Sequence, residues 1–166
     1  MMCTNRGAGL LRSTTGARPQ GFKISDLISD TSMSDSAKVA AFRQHLQAGD
    51  VKTRIDGRTQ KRHQSGAKWR RLVREAIQNG DNPKSLLRKD IDPAQFVATY
   101  AGTGRIVISQ GGNAVHEYVT FQTPIGRTYN RRTGKYEPAY VVQIKYTDNG
   151  VHIFPTRQPG NGRRRR

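Results

Sequence analysis

Two histidines stand where an imidazole could transfer protons. His63 follows Lys61 and Arg62 in the stretch QKRH, and His152 lies in YTDNGVHIFP, directly after the turn signal DNG. An imidazole has an unperturbed pKa of about 6.5, so it can take up or release a proton near neutral pH. Neighbouring cations lower the pKa of an imidazole and keep it neutral, as a general base must be. His63 and His152 are therefore the first candidates for acid–base chemistry.

Such a pair suits the cleavage of RNA, which carries its own nucleophile in the 2′-hydroxyl. One imidazole would take the 2′ proton, the other would protonate the 5′-leaving oxygen, and cations would stabilise the phosphorane. The products would be a 2′,3′-cyclic phosphate and a 5′-hydroxyl. The predicted phosphate ligands are Lys84, Lys145, Arg62 and Lys61.

Alternation of side chains along a strand predicts the face that His152 occupies. A two-residue turn at Asn149-Gly150 would pair Thr147 with His152. His152 then shares a face with Lys145 and Thr147, while the apolar residues on either side of it point to the core. We therefore expect the imidazole, the ammonium and the hydroxyl on the side of the sheet away from the helices.

The remaining titratable residues predict no metal site and no cofactor. His116 and Glu117 are chain neighbours, so on a regular strand they point to opposite faces and rank as secondary candidates. The His, Asp and Glu residues lack metal-ligand spacing, and Cys3 is the sole cysteine. There is no P-loop, no dinucleotide-binding glycine pattern after a strand and no nucleophile elbow.

The elements that must position these residues are helices first and strands later. Helices are predicted in SDSAKVAAFRQHLQAGD, in SGAKWRRLVREAIQNG and in DPAQFVATYAG, each with a cap or stop signal. After Gly104 the period becomes two, and strands are predicted at 105–109, 115–121, 124–129, 139–147 and 151–155. Short turns between them indicate antiparallel pairing. The predicted class is α+β, with two or three N-terminal helices packed on one face of a meandering antiparallel sheet of four to five strands.

Composition indicates one basic domain with flexible ends. The chain has 166 residues and a net charge of +17, a field that attracts polyanions, nucleic acid first. Residues 1–33 are interpreted as a disordered leader, 34–157 as the domain and 158–166 as a disordered Arg-rich tail. No apolar stretch is long enough for a membrane span or a signal peptide, so we expect no membrane association.

The stretch from about Arg54 to Arg157 resembles the polymorphic toxin type 50 domain, a predicted bacterial and phage RNase toxin of the barnase–EndoU–colicin–RelE class. The matching pieces are QKRH (60–63), KSLL (84–87), AGTGR (101–105), PIG (124–126), the RRTGK turn and IKYTDNGVHIFPTR (144–157). The last piece is the most specific, with an Ile-x-Tyr strand, a Gly turn and then His-Ile-x-Pro.

The resemblance implies further site residues and a context. His63, Ser85, Tyr146 and His152 fall on its motif positions, with Lys84 adjacent to Ser85. Ser85, Tyr146 and Thr147 would then position the ribose. Such domains usually end a delivery protein or a phage head-morphogenesis protein, so we expect action in the cytoplasm of a target bacterium.

Three interpretations remain open from the sequence. The first is a metal-independent endoribonuclease toxin that acts on RNA and is inhibited by an acidic immunity protein. The second is a non-catalytic basic protein that binds nucleic acid, and the third is a phage head-associated part whose basic ends touch DNA. The oligomeric state, the RNA specificity and the assignment of base and acid are open.

Overall fold

The computed structural model describes residues 21–109 and 112–157, and these form an α+β fold as predicted. The described helices are α1 (Ile24–Ser29), α2 (Asp35–Gln47), α3 (Gly57–Gln60), α4 (Ala67–Asn79) and α5 (Pro93–Tyr100), with a 3-10 helix at Lys61–His63. The described strands are β1 (Leu86–Leu87), β2 (Arg105–Ile108), β3 (Val115–Thr120), β4 (Gly126–Asn130), β5 (Lys135–Ala139), β6 (Val141–Thr147) and β7 (Gly150–Thr156).

The strands divide into two antiparallel sheets, where the sequence predicted a single meander. The larger sheet has the order β2-β3-β6-β7 and the smaller has the order β1-β4-β5. The chain leaves the smaller sheet at Ala139, passes through Tyr140 and enters the larger sheet at Val141. Strand 139–147 was predicted as one continuous strand because this crossing falls inside an alternating run of residues.

Local capping signals explain the longer helices. The Ser34 hydroxyl accepts a hydrogen bond from the Ala37 amide at the start of α2, and the Asp92 carboxylate accepts one from the Ala94 amide at the start of α5. Helix α4 ends at Gly80, whose φ of 72° is the left-handed conformation that glycine adopts readily. These three helices are confirmed close to their predicted bounds.

The main core lies between the larger sheet and helices α1 and α2. Val142, Ile144 and Tyr146 on β6 are all fully buried, and the Phe42 ring on α2 meets the Tyr146 ring at a centroid distance of 5.0 Å. Because side chains alternate, the opposite face of the same strand carries Lys145. This second face holds the candidate site.

The domain begins before residue 34, which corrects the predicted boundary of the leader. Ile24 and Leu27 on α1 are core residues with 1% and 7% of their surface exposed. The Asp148 carboxylate, in the turn after β6, accepts hydrogen bonds from the amides of Ile24 and Ser25 and so caps α1. The sequence around α1 cannot predict a cap that comes from such a distant residue. Residues 1–20 and the predicted tail 158–166 lie outside the described residues.

A glycine brings the two sheets into contact. A Cβ added to Gly126 on β4 would lie 2.3 Å from the Leu86 carbonyl oxygen and 2.4 Å from Pro155 Cγ on β7. Only glycine allows the backbone of β4 to approach so closely. The PIG and HIFP stretches therefore meet in space, and the smaller sheet forms a wall beside β7.

Candidate active site

The free edge of β7 is covered by residues 54–60. Val151 donates its amide to the Arg54 carbonyl oxygen and accepts from the Asp56 amide, both at 2.8 Å. This pairing places the Arg54 carbonyl 2.5 Å from where a Cβ on Gly150 would lie, and Gly150 has φ of +126°. The chain therefore runs alongside β7 toward His152.

Gln60 completes the edge and directs His63. Its side-chain amide donates to the Ile153 carbonyl oxygen at 2.8 Å and its side-chain oxygen accepts from the Ile153 amide at 2.7 Å. The carboxamide thus imitates the peptide group of a neighbouring strand. His63 follows three residues later through the 3-10 helix, in which side chains three apart lie on the same side. Gln60 is the first residue of the QKRH stretch, but a glutamine at this position does not by itself predict that its side chain pairs with the edge of β7.

His63 and His152 converge, from different elements, on one place. Their ring centroids are 6.1 Å apart and the ring planes are inclined by 13°. The Phe154 ring stacks on both, at 4.7 Å from His63 and 5.4 Å from His152. The two histidines keep only 8% and 9% of their surface exposed, so His152 is more buried than its place on the outer face of the sheet suggested.

A backbone carbonyl fixes the tautomer of His63. Its Nδ1 lies 3.2 Å from the Ser85 carbonyl oxygen and 3.1 Å from the Ser85 hydroxyl. A carbonyl oxygen can only accept, so the bond to it requires a proton on Nδ1. The lone pair then resides on Nε2, where a general base needs it.

The loop that holds Ser85 is itself anchored by two aromatic side chains. The Trp69 indole N–H and the Tyr136 hydroxyl both donate to the Lys84 carbonyl oxygen, at 3.2 and 2.9 Å. The two rings are 5.5 Å apart. This arrangement fixes the Lys84–Ser85 segment and leaves the Lys84 side chain exposed.

Burial is the largest cause of the low pKa of both histidines. It lowers the pKa of His63 to about 4, against the raising effect of the bond to Ser85, and His152, Lys84 and Arg62 lower this pKa further. It also lowers the pKa of His152 to about 4, assisted by Lys145. The lowering predicted from nearby cations is therefore present, but it is secondary to burial.

A cationic groove of about 500 Å³ opens beside His63, between β7 and the smaller sheet. Besides His63, Ser85 and Phe154, its lining includes four cations, Lys84, Arg131, Arg132 and Arg157. The last three were not predicted as site residues; the two that fall in the RRTGK turn could have been found from its charge. Lys61 and Arg62 lie at the exposed surface of the 3-10 helix.

Lys145 and His116 extend a row from His152 across the larger sheet. Lys145 pairs with His152 on one side and with His116 on the other. The turn occupies Asp148 and Asn149, one residue earlier than predicted, so His152 pairs with Lys145 and not with Thr147. Burial, with Lys145 second, lowers the pKa of His116.

The structure does not bring Tyr146, Glu117 or Thr147 to the two histidines. Tyr146 and Glu117 are fully buried on the helix side of the sheet, where the Tyr146 hydroxyl donates to the Glu117 carboxylate at 2.6 Å. Burial, followed by the Glu117 charge, raises the pKa of Tyr146. The Thr147 hydroxyl donates to the Gly150 carbonyl oxygen at 3.0 Å in the hairpin turn.

Glu117 also explains the AGTGR stretch. Its carboxylate accepts hydrogen bonds from the amides of Gly102 and Gly104, at 3.0 and 2.7 Å. The Arg43 guanidinium donates to the carbonyl oxygens of the same two glycines, both at 2.9 Å. The stretch is held by a buried network that joins α2, β3 and β6, on the side of the sheet opposite the histidines.

Across 21–109 and 112–157, three or more His, Cys, Asp or Glu side chains nowhere group closely enough to hold a metal ion. Over the same residues, every helix is too short or too polar to cross a membrane.

The comparison with protein families agrees with the resemblance found in the sequence. A model of the bacterial toxin 50 family matches residues 55–155, more than half of the chain. The chain belongs to the bacterial toxin 50 family and carries a polymorphic toxin domain. The match covers the β7 edge, the Lys84–Ser85 loop and both histidines. No curated protein and no solved structure shows significant similarity to the chain.

Proposed function

We propose that this toxin domain is an endoribonuclease that cleaves RNA through attack of the 2′-hydroxyl. The observation that carries the proposal is the convergence of His63 and His152, 6.1 Å apart, with His63 in the lining of a groove that also carries four cations. These groups supply proton transfer and phosphate binding, and RNA supplies the nucleophile. The reaction then needs no metal ion or cofactor.

His63 is the general base in this proposal. Its Nε2 lone pair takes the 2′-hydroxyl proton while the bond from Nδ1–H to Ser85 holds the ring in place. The 2′-oxygen bonds to phosphorus, and the bond from phosphorus to the 5′-oxygen breaks. His152 gives its proton to that 5′-oxygen, which leaves a 2′,3′-cyclic phosphate and a 5′-hydroxyl.

Substrate binding supplies the protonated form of His152. With a pKa of about 4, its imidazole is neutral in the free protein at pH 7. An anionic phosphate bound close by favours the imidazolium and raises the pKa. Lys84, Arg131 and Arg132 hold the phosphate and stabilise its developing charge. Lys145, Lys61 and Arg62 add positive potential around the pair, and Ser85 orients His63.

The test compares RNA cleavage in EDTA by the wild-type protein and single alanine variants. His63→Ala and His152→Ala are each expected to lower the rate by about 10²- to 10⁴-fold, as removal of an acid or base does. His45→Ala is the matched control, because His45 stacks on Phe22 and pairs with Asp50 away from the groove. The wild-type products should carry cyclic phosphates, and substrates without 2′-hydroxyls should stay intact.

A wild-type protein that binds RNA without cutting it would contradict the proposal. The alternative would then be a non-catalytic nucleic-acid-binding or phage head-associated protein, in which the cations bind phosphates and the histidines transfer no protons. Equal activity of His63→Ala, His152→Ala and His45→Ala would also remove the two imidazoles from the mechanism.

Partner and location follow from the same proposal. An RNase toxin would act in the cytoplasm of a target bacterium, reached by delivery or as a phage product. The cell that makes it would need an inhibitor, and the net charge of +17 favours an acidic immunity protein.

A further inference from the structure

A second groove, of about 570 Å³, continues from the first along β7. The two grooves share four lining residues, Thr128, Asn130, Thr156 and Arg157. The second groove lies where the chain crosses from the smaller sheet to the larger one at Tyr140. Its lining does not include His63 or His152.

The chemistry of the second groove differs from that of the first. Its polar lining consists mostly of hydroxyl and amide groups, contributed by Thr120, Gln122, Thr128 and Asn130. Glu137 and Asn130 are engaged, since the Glu137 carboxylate accepts from the Asn130 side-chain amide at 2.6 Å and the Asn130 Oδ1 accepts from the Arg132 backbone amide at 2.9 Å. Phosphates prefer the cations of the first groove, whereas hydroxyls and amides match the donors and acceptors on the edge of a nucleobase.

Tyr140 gives this groove an aromatic surface. It is 44% exposed, one of the two large hydrophobic residues most exposed among those described. Its backbone carbonyl accepts from the Phe121 amide at 2.8 Å, which anchors the chain while the ring stays exposed. Exposed aromatic rings beside a cationic track are the stacking platforms that single-stranded nucleic acids use.

Gln122 and Tyr140 line the second groove but not the first, which holds His63. Thr156 lies on the same face of β7 as His152, four residues further along, which corresponds to about 13 Å at strand spacing. We therefore expect an oligonucleotide to fill both grooves, and a dinucleotide whose phosphate lies at the histidines to leave Tyr140 uncovered.

We propose that the second groove is a nucleobase subsite for single-stranded RNA, with the base stacked on Tyr140 and its edge met by Gln122 and Thr120. The subsite deepens the proposed function, on which it rests, because it makes an extended single strand the preferred substrate.

The test measures binding of 2′-fluoro oligonucleotides, which lack the nucleophile and are not cut. Tyr140→Ala is expected to weaken hexanucleotide binding between about 5- and 150-fold, the range for loss of one stacked base. The dinucleotide should bind equally to wild type and variant. Tyr140→Phe is the matched variant and should bind both ligands as the wild type does, because it keeps the ring.

An equal loss for dinucleotide and hexanucleotide, or no loss for either, would overturn the subsite. A thermal melt of each variant separates lost binding from lost folding. Because the ligands cannot be cleaved, this binding test is independent of catalysis. If the wild type cuts RNA and the Tyr140→Ala variant binds the hexanucleotide as tightly as the wild type, the subsite is refuted and the proposed function stands.

Discussion

At the scale of single residues, His63 and His152 combine low exposure with surrounding positive charge. Both effects favour the neutral imidazole, and burial is the larger. In the proposed mechanism both rings are neutral in the free protein, and His152 gains a proton when an anionic phosphate binds. The low pKa of both rings also lowers the stability of the folded protein in acid.

We expect stability to fall steeply as the pH decreases from about 6.5 to about 4. The unfolded histidines have pKa values near 6.5, whereas both folded pKa values are about 4, so in this window the unfolded chain binds more protons. Each histidine should cost about 3 kcal/mol of unfolding free energy across the window. Urea unfolding at a series of pH values measures this loss.

The same measurement on variants assigns the loss to its source. His63→Gln removes one titrating group and should flatten the dependence of the unfolding free energy on pH. Parallel curves for the wild type and His63→Gln would contradict the assignment.

The sequence predicted His63, His152 and Ser85 as site candidates, and the structure places them together, but the sequence could not predict how deeply the two histidines are buried. Alternation in β7 places His152 on the correct face because that pattern is local. The burial of His152 depends on His63 and Phe154, and that of His63 on the Ser85 loop. Tyr146 also falls on a motif position of the resemblance, but the structure places it away from the histidines, because its hydroxyl belongs to a buried network with Glu117.

At the scale of elements, the segment from Arg54 to His63 joins the edge of β7 to the site. An open strand edge exposes unpaired amides and carbonyls. The backbone of 54–56 and the Gln60 side chain satisfy those of Val151 and Ile153. The same contacts set the position of the 3-10 helix, and therefore of His63.

Gln60→Met should destabilise the protein by about 2–4 kcal/mol, because it leaves the buried amide and carbonyl of Ile153 without partners. Methionine keeps a similar length, so the loss reports on hydrogen bonding more than on packing. Urea unfolding gives the free energy, and hydrogen exchange at the Ile153 amide should become faster.

Gln64→Met is the control for Gln60→Met, since Gln64 is half-buried at the end of the 3-10 helix. It should change the unfolding free energy by less than about 0.5 kcal/mol, as ordinary surface changes do. Equal effects of the two substitutions would mean that the Gln60 carboxamide does not hold the edge.

Elements with local signals were predictable, and those that depend on distant partners were not. Helices α2, α4 and α5 carry their caps in the adjacent sequence. Helix α1 takes its cap from Asp148, and β1 consists of two residues that become a strand only by pairing with β4. Strand β5 contains Glu137 and Pro138, so it lacks the alternation that marks a strand.

At the scale of the whole molecule, positive charge surrounds the groove and continues onto α4. This helix has the clearest apolar stripe in the sequence, yet none of its residues is fully buried and Ile77 is 53% exposed. Its other face carries Arg70, Arg71 and Arg74, all exposed. The stripe predicted the helix correctly but did not reveal that the helix lies at the surface.

A field of this size predicts binding of single-stranded RNA that weakens with salt, and the groove predicts which cations set the dependence. Each neutralised phosphate contributes about −0.7 to the slope of log affinity against log salt for a single strand. Arg132→Gln removes a cation that lines the groove. It should therefore reduce the steepness of that slope by about 0.7, measured by fluorescence anisotropy with a 2′-fluoro hexanucleotide between about 50 and 200 mM salt.

Arg127→Gln is the matched control, because it removes the same charge from the same part of the molecule. Arg127 is exposed on β4 and points to the opposite face from its neighbour Thr128, which lines the groove. If the field of the whole molecule alone attracts RNA, the two variants should have the same slope. A slope that changes in Arg132→Gln and stays close to the wild type in Arg127→Gln means that the RNA phosphates lie in the groove beside His63.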